Sequence, residues 1–388
     1  MKSTFRKSLS FGVRNASAAS RKTIKLVMKK IFLLLFIFSK ALAQQNDLIE
    51  RSLKPFWEGK VMHDESVLMI SREGKPAEAA LLFKPKKIIS VKNAGQNIEY
   101  KEGIDWEYKD GKLRLLPNSK AIFMADSELY PDSTRKSFPK QGGGRILFNE
   151  GSFFHEKQLA VTYKHKKNAW KGIVPKYEGE NLPHIIDLLK KKQSVHVLLY
   201  GDSIAAGANS SGKSNAEPKL PDWGSLIVEN LKRHYQNSIR FTNTAVGGMD
   251  SKWGINQVQK EVVDYNPDLV IIAFGMNDGS GKMTAERFKG NISGIIKSVR
   301  ARNAKAEFIL VSTMLPNPES FFVGTQPDFK NALEELTGDG IVLVDMTEVH
   351  RELLKYKSYQ DLTGNNINHP NDFLIRWYAQ EISGVLLK

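Results

Sequence analysis

From about Leu182 onward, apolar runs too continuous for a half-exposed strand alternate with segments whose apolar residues recur at helical spacing. The runs are VHVLLY from Val195, IRFTNTAV from Ile239, DLVIIAFG from Asp268, EFILVST from Glu307 and IVLVDM from Ile341. HIIDLLKKKQ precedes the first. DWGSLIVENLKRHYQ, INQVQKEVVDY, a helical pattern from about Thr284 to Arg300, and FKNALEEL separate them, and a last helix starts at about Asp372. Strands apolar at nearly every position are buried on both faces, and alternation with helices predicts parallel βαβ units. The pattern predicts an α/β fold, a doubly wound five-stranded parallel sheet of flavodoxin-like type, with its site at the carboxyl ends of the strands.

Upstream, from about Leu48 to Gly172, the period falls to two and turn signals are frequent, as in AALLFKPKKIISVKNAGQNIEYKEG and RILFNEGSFFHEKQLAVTYKH. Asp110-Gly111 between DWEYK and KLRLL is a strong hairpin signal. Several short strands at this spacing predict an all-β sandwich or jelly roll. The composition changes after AWKGIVPKYEGENLP, which divides the chain into a β domain over residues 46–175 and an α/β domain over 183–388. QGGGR at 141–145 neither follows a strand nor opens a helix, so it reads as a flexible loop and not a phosphate cradle.

Residues 1–43 contain ten Lys or Arg and no acidic residue. MKKIFLLLFIFSKALAQQ from Met28 has a basic start, a short apolar run and Ala41-Leu42-Ala43 as a small-x-small cleavage signal. It reads as a secretory signal peptide with a basic leader, or with Met28 as the true start. The apolar run falls short of the roughly 20 residues of a stable membrane anchor. Removing this segment takes ten positive charges from the formal +15, so the mature chain is only mildly basic and a nucleic-acid partner loses its main support. The chain has no cysteine, which excludes disulfides, thiolate metal sites and a Cys nucleophile. A soluble secreted or periplasmic protein without stable membrane insertion is expected.

The first strand runs straight into Gly201-Asp202-Ser203. A serine at the carboxyl edge of a buried parallel strand presents its hydroxyl in a crevice, as an acyl-transfer nucleophile requires, although Gly-Asp-Ser also serves as an ordinary strand-ending turn. Three further stretches add to it. NTAVGGMDS ends the second strand and supplies Gly248, where a backbone N–H can approach a ligand closely. IIAFGMNDG places Asn277, a side-chain amide donor for a developing oxyanion, at the end of the third. NNINHPNDF puts His369 just before the C-terminal helix, within reach of the sheet as a general base.

These four blocks, in this order and on these elements, resemble the SGNH (GDSL-type) hydrolase family over about residues 183–388. The resemblance implies Ser203 as nucleophile and His369 as general base and acid. It also implies an oxyanion hole of the Ser203 and Gly248 N–H groups with the Asn277 amide, and no cofactor. The chain departs from the family where an aspartate three residues before the histidine completes the triad, since that position is Asn366. Asparagine can fix the tautomer but brings no charge to an imidazolium. The expectation is a Ser-His dyad whose ring is held by Asn366 or a backbone carbonyl. Asp372 reads more simply as the N-cap of the last helix, and Asp361 has no position from sequence.

Asp202 and Asp278 read as structural carboxylates that satisfy backbone donors. The remaining histidines lack metal-ligand spacing, so no metal is expected. Trp223 and Trp253 fit sugar stacking or core closure equally, and Trp57, Trp106 and Trp170 fit the core better. The β domain, the export signal and the altered aspartate resemble two-domain carbohydrate acetylesterases, which implies a secreted esterase that deacetylates an acylated polysaccharide or oligosaccharide through an acyl-serine. A lipase or arylesterase on the same fold, an acyltransferase, and a decayed carbohydrate-binding protein are the rivals.

Overall fold

The five apolar runs form one parallel sheet: β1 (Val195–Gly201), β2 (Ile239–Asn243), β3 (Leu269–Ala273), β4 (Glu307–Val311) and β5 (Ile341–Val344). Their order is β2-β1-β3-β4-β5. This geometry comes from a computed structural model that describes residues 43–388. The export signal expected over residues 1–43 therefore lies, but for its last residue, outside the described residues. Among the described residues no helix is long and apolar enough to cross a membrane.

Sequential strands lie on either side of β1, so the order reverses between β1 and β3 and opens a crevice at their carboxyl ends. Gly201 pairs with Ala273, so these two strands end level. Helices cover both faces: α1 (Pro183–Lys190), α2 (Trp223–Tyr235), α3 (Ser251–Glu261), α4 (Ala285–Arg302), α5 (Met346–Leu353) and α6 (Asp372–Leu386). Leu198, Tyr200, Val270, Ile272, Phe308 and Leu310 alternate along the strands and pack with Val258 of α3 and Phe288, Ile292, Ile295 and Val299 of α4. Each such side chain contributes about 1.5–3 kcal/mol on burial. On the other face α2 comes so close that a Cβ on Gly224 would meet Leu199 Cδ2 at 2.7 Å. Trp223 of α2 is fully buried and stacks on Tyr378 of α6 with ring centroids 5.7 Å apart, so it belongs to the core.

Side-chain caps start the helices where acidic or amide residues precede them. Asp222 accepts from Ser225 N–H at 3.0 Å and Asp250 from Trp253 N–H at 2.8 Å. At α6 the expected cap is corrected by one residue. Asn371 has the extended backbone of an N-cap and accepts from Leu374 N–H at 3.1 Å, whereas Asp372 is the first helical residue.

Upstream, most strands pair antiparallel. One sheet orders Val61–Leu68, Gln158–Lys164, Lys87–Asn93 and Glu99–Tyr100. A second orders Trp106–Lys109, Lys112–Leu115, Glu78–Ala80, Ile70–Ser71 and Met124–Ala125, with only the last pair parallel, and a third is the antiparallel pair Ser137–Pro139 and Arg145–Leu147. Asp110 and Gly111 turn the predicted hairpin at φ of 52° and 79°, with Lys109 opposite Lys112, as a two-residue primed turn requires. Trp106 and Trp170 are buried.

Residues 51–388 form one compact unit. Its β and α/β parts meet through buried polar contacts. Lys357 and Glu65, both side chains without solvent exposure, pair at 2.6 Å. Glu65 also accepts from Leu82 N–H at 2.8 Å and the Tyr163 hydroxyl at 2.5 Å, so the pair has the further hydrogen bonds a buried ion pair needs. The Gln158 amide donates to the Gln360 and Thr363 carbonyls, both at 2.9 Å. Asp361 accepts from Leu68 N–H at 2.7 Å, which gives this carboxylate a place at the seam.

Candidate active site

Ser203 lies two residues past Gly201, the end of β1. Position 201 has no room for a side chain, because a Cβ would stand 2.2 Å from the Ala273 carbonyl oxygen of β3. The glycine lets the two strand ends close up, and the chain then turns away with Ser203 at the edge.

His369 comes from a tight turn before α6 that Asn365 organises. The Asn365 side-chain oxygen accepts from the N–H groups of Ile367, Asn368 and His369 at 3.0, 3.0 and 3.1 Å. The imidazole Nε2 stands 2.9 Å from Ser203 Oγ, and both residues are about 8% exposed. On the far side of the ring, Nδ1 lies 2.7 Å from Asn209 Oδ1.

The orientation of Asn209 settles the tautomer. Its NH2 donates to the Gly151 and Gly364 carbonyls at 2.9 and 3.2 Å, so its oxygen must face the ring. An oxygen there requires a proton on Nδ1, so in the neutral ring Nε2 is the acceptor for the serine hydroxyl. Gly364 is needed for this approach, since a Cβ would meet Asn209 Cβ at 2.4 Å. Asn209 was not among the residues expected from sequence. It sits six positions after Ser203 in a run of small residues, and only its left-handed backbone (φ 60°) and its neighbours in the folded chain give it this place.

Asn366, expected to hold the ring, does not meet it. It is fully buried, its oxygen accepts from the Gln360 and Asn317 amides at 3.1 and 3.3 Å, and its NH2 donates to the Leu147 carbonyl at 3.0 Å. With φ 69°, it turns its side chain from His369 into the seam with the β region. Asp372 is also elsewhere, accepting from Ser211 N–H at 2.8 Å. A carboxylate does reach the ring from outside the expected blocks: Glu150 Oε2 lies 3.4 Å from His369 Nδ1.

The three groups expected as oxyanion donors each keep an N–H without an acceptor among the described residues. Among the described residues, the Ser203 and Gly248 N–H groups make no hydrogen bond. Gly248 holds a left-handed φ of 80° that a larger residue resists, and a Cβ on Gly247 would lie 3.7 Å from Ser203 Cβ. The Asn277 amide donates to the Met249 carbonyl at 2.9 Å, which ties it to the Gly248 loop and leaves one N–H free.

Two buried carboxyls brace these loops. Asp202 accepts from Ile204 N–H at 2.9 Å, and burial pushes its carboxyl up to about 7. Asp278 takes the backbone N–H of Ser251 at 2.9 Å together with the Ser251 hydroxyl, and burial raises it as well. Among the described residues no group of three or more His, Asp or Glu side chains is placed to hold a metal ion.

Comparison with known proteins adds a family to this geometry. Residues 199–373 match the GDSL-like lipase/acylhydrolase family. An arylesterase of Vibrio mimicus is 25% identical over 123 residues, which cover 32% of this chain and 56% of that one. The uncharacterised lipoprotein YqeF of Bacillus subtilis is 27% identical over 115 residues, 28% of this chain and 45% of its own. The chain thus spans about half of each of these relatives. Among solved structures, a two-domain esterase active on acetylated mannans is 23% identical, with TM-score 0.45 over 55% of each chain.

Proposed function

With residues 199–373 a GDSL-like lipase/acylhydrolase domain, we propose that the protein is an exported serine esterase that removes short acyl groups, acetyl above all, from a polysaccharide or oligosaccharide. The observation that carries the esterase reading is the 2.9 Å contact between Ser203 Oγ and His369 Nε2, backed by the Asn209 oxygen that holds the opposite ring nitrogen, Nδ1.

The reaction follows from that geometry. Ser203 Oγ attacks the ester carbonyl as its proton passes to Nε2, and the carbonyl electron pair moves onto oxygen. There the Ser203 and Gly248 N–H groups and the Asn277 amide are the donors. Collapse breaks the C–O bond to the sugar, whose oxygen takes the proton back from Nε2. Water, activated by the same nitrogen, then releases the acid from Ser203. Each oxyanion donor is worth on the order of 100-fold in turnover. No cofactor enters.

The substrate reading is supported by the polar character of the site. The half-exposed Glu150 carboxylate stands beside the histidine, and the exposed Gly247 and Gly248 lie beside the serine. Such a rim suits hydroxyl-rich rings better than a long acyl chain.

The test is acetate release from acetylated mannan, xylan and other acetylated polysaccharides, set beside short- and long-chain p-nitrophenyl esters, with Ser203→Ala as control. Release from glycan and short esters that is lost in the variant supports the reading. Preference for long-chain esters makes the protein a lipase, and activity on aryl esters alone an arylesterase. Silence on every substrate rejects hydrolysis.

A further inference from the structure

We propose that Glu150, carried into the site by the β-rich region, is the acidic partner of His369, so that the catalytic centre is completed by a segment outside the hydrolase domain. This inference rests on the esterase reading and deepens it. Where the family places an aspartate the chain has Asn366, and that side chain faces away. The ring nevertheless has a carboxylate at 3.4 Å, on the same nitrogen that Asn209 holds.

Glu150 is fixed there by more than this one contact. Its Oε1 accepts from the Asn365 amide at 3.1 Å, and Asn365 builds the turn that carries His369. The next residue, Gly151, offers its carbonyl to Asn209, and Leu147 offers its own to Asn366. Residues 147–151 thus grip both the histidine turn and the residue that orients the ring. Burial opposes the charge on Glu150, but contact with His369 and the hydrogen bond from the Asn365 amide outweigh it and hold the carboxyl below its usual range. Asp202, buried beyond the serine, also interacts with His369, but burial favours its neutral form.

The division of labour has a chemical reason. Asn209 fixes the tautomer but is neutral. When the Ser203 proton moves to Nε2 the ring carries a full positive charge, and Glu150 is the anion beside it. Because Asn209 keeps the tautomer right in either case, loss of Glu150 alone should be milder than loss of a triad aspartate, which costs about 10⁴-fold where the tautomer is lost as well. Half-exposure of the side chain weakens it further.

The test uses the full chain with Glu150→Gln, which can still accept from Asn365, and Glu150→Asp. With p-nitrophenyl acetate, Glu150→Gln should lower kcat about 10- to 100-fold, leave KM within about twofold, and move the acid limb of kcat/KM to lower pH. Glu150→Asp should fall between. A second reading follows the His369 ring by NMR: it should titrate at lower pH in Glu150→Gln than in the parent. Unchanged kcat, pH limb and ring titration in a folded Glu150→Gln protein would overturn the proposal and leave Glu150 a docking residue. If the parent hydrolyses nothing, the esterase reading falls, and the ring titration alone still decides whether Glu150 charges His369.

Discussion

Asn209 Oδ1 stands 2.7 Å from His369 Nδ1, while the two hydrogens of the same amide are taken by carbonyls from different parts of the chain, Gly151 and Gly364. An amide held at all its hydrogens cannot flip. The imidazole is therefore oriented by a neutral group whose own orientation is dictated by backbone.

Two substitutions separate orientation from charge at this position. Asn209→Ala removes the acceptor and leaves two inward carbonyls without a donor, so kcat should drop on the order of 100-fold and stability by about 1–3 kcal/mol. Asn209→Asp adds a charge beside the ring but turns carboxylate oxygens on those carbonyls. It should lower Tm and fail to exceed the parent in kcat. Thermal melts with p-nitrophenyl acetate kinetics check both, and a faster Asn209→Asp enzyme would show that charge matters more than the amide clamp.

Asn366 offers the complementary case. Restoring the family's residue with Asn366→Asp should not restore a triad, because the side chain points at the Leu147 carbonyl and not at His369. It should cost stability instead, on the order of 2–4 kcal/mol for a buried carboxylate facing an oxygen. A lower Tm with unchanged or lower kcat is the expected result, read from calorimetry and steady-state rates.

The contrast between these two asparagines shows how far the sequence could be read. Strand runs such as Leu269–Ala273 and the glycine at 201 declare themselves in one dimension, because burial on both faces and the approach to the Ala273 carbonyl restrict each position to few residue types. The parallel sheet, the antiparallel β-rich region and the Asp110-Gly111 turn were legible for that reason. So was the meeting of Ser203 with His369, which strand-end chemistry requires. The other side of the ring was not. Spacing pointed to Asn366, yet a backbone φ of 69° turns that side chain away, and its place is filled from the opening loop by Asn209 and from the β region by Glu150. Contacts between segments 160 and more than 200 residues apart leave no periodic mark in a single chain.

The oxyanion donors give a prediction with a distinct kinetic signature. Asn277→Ala removes a donor that acts on charge developed in the transition state, so kcat should fall about 100-fold or more with KM little changed. The same change frees the Met249 carbonyl and loosens the Gly248 loop. A rise in KM with kcat intact would instead make Asn277 a substrate-binding residue.

Asp202 predicts an unusual pH dependence of stability. Its carboxyl is fully buried and titrates near 7, well above the ordinary value of about 3.9 for an unfolded aspartate. Between these two values the folded protein binds a proton that the unfolded chain releases, so this group's contribution to stability falls as pH rises from about 4 to 7 and is flat beyond. Over the whole window the linkage amounts to as much as about 4 kcal/mol. Asp202→Asn keeps an acceptor for Ile204 N–H and cannot ionise. The variant should therefore gain on the parent as pH rises: near parity at pH 4.5, and a clearly higher Tm than the parent at pH 8, measured by calorimetry with Ser203→Ala as a common background. An advantage that stays constant with pH would mean that Asp202 is ionised throughout, stabilised by Ile204 N–H and Met276 N–H more strongly than burial penalises it.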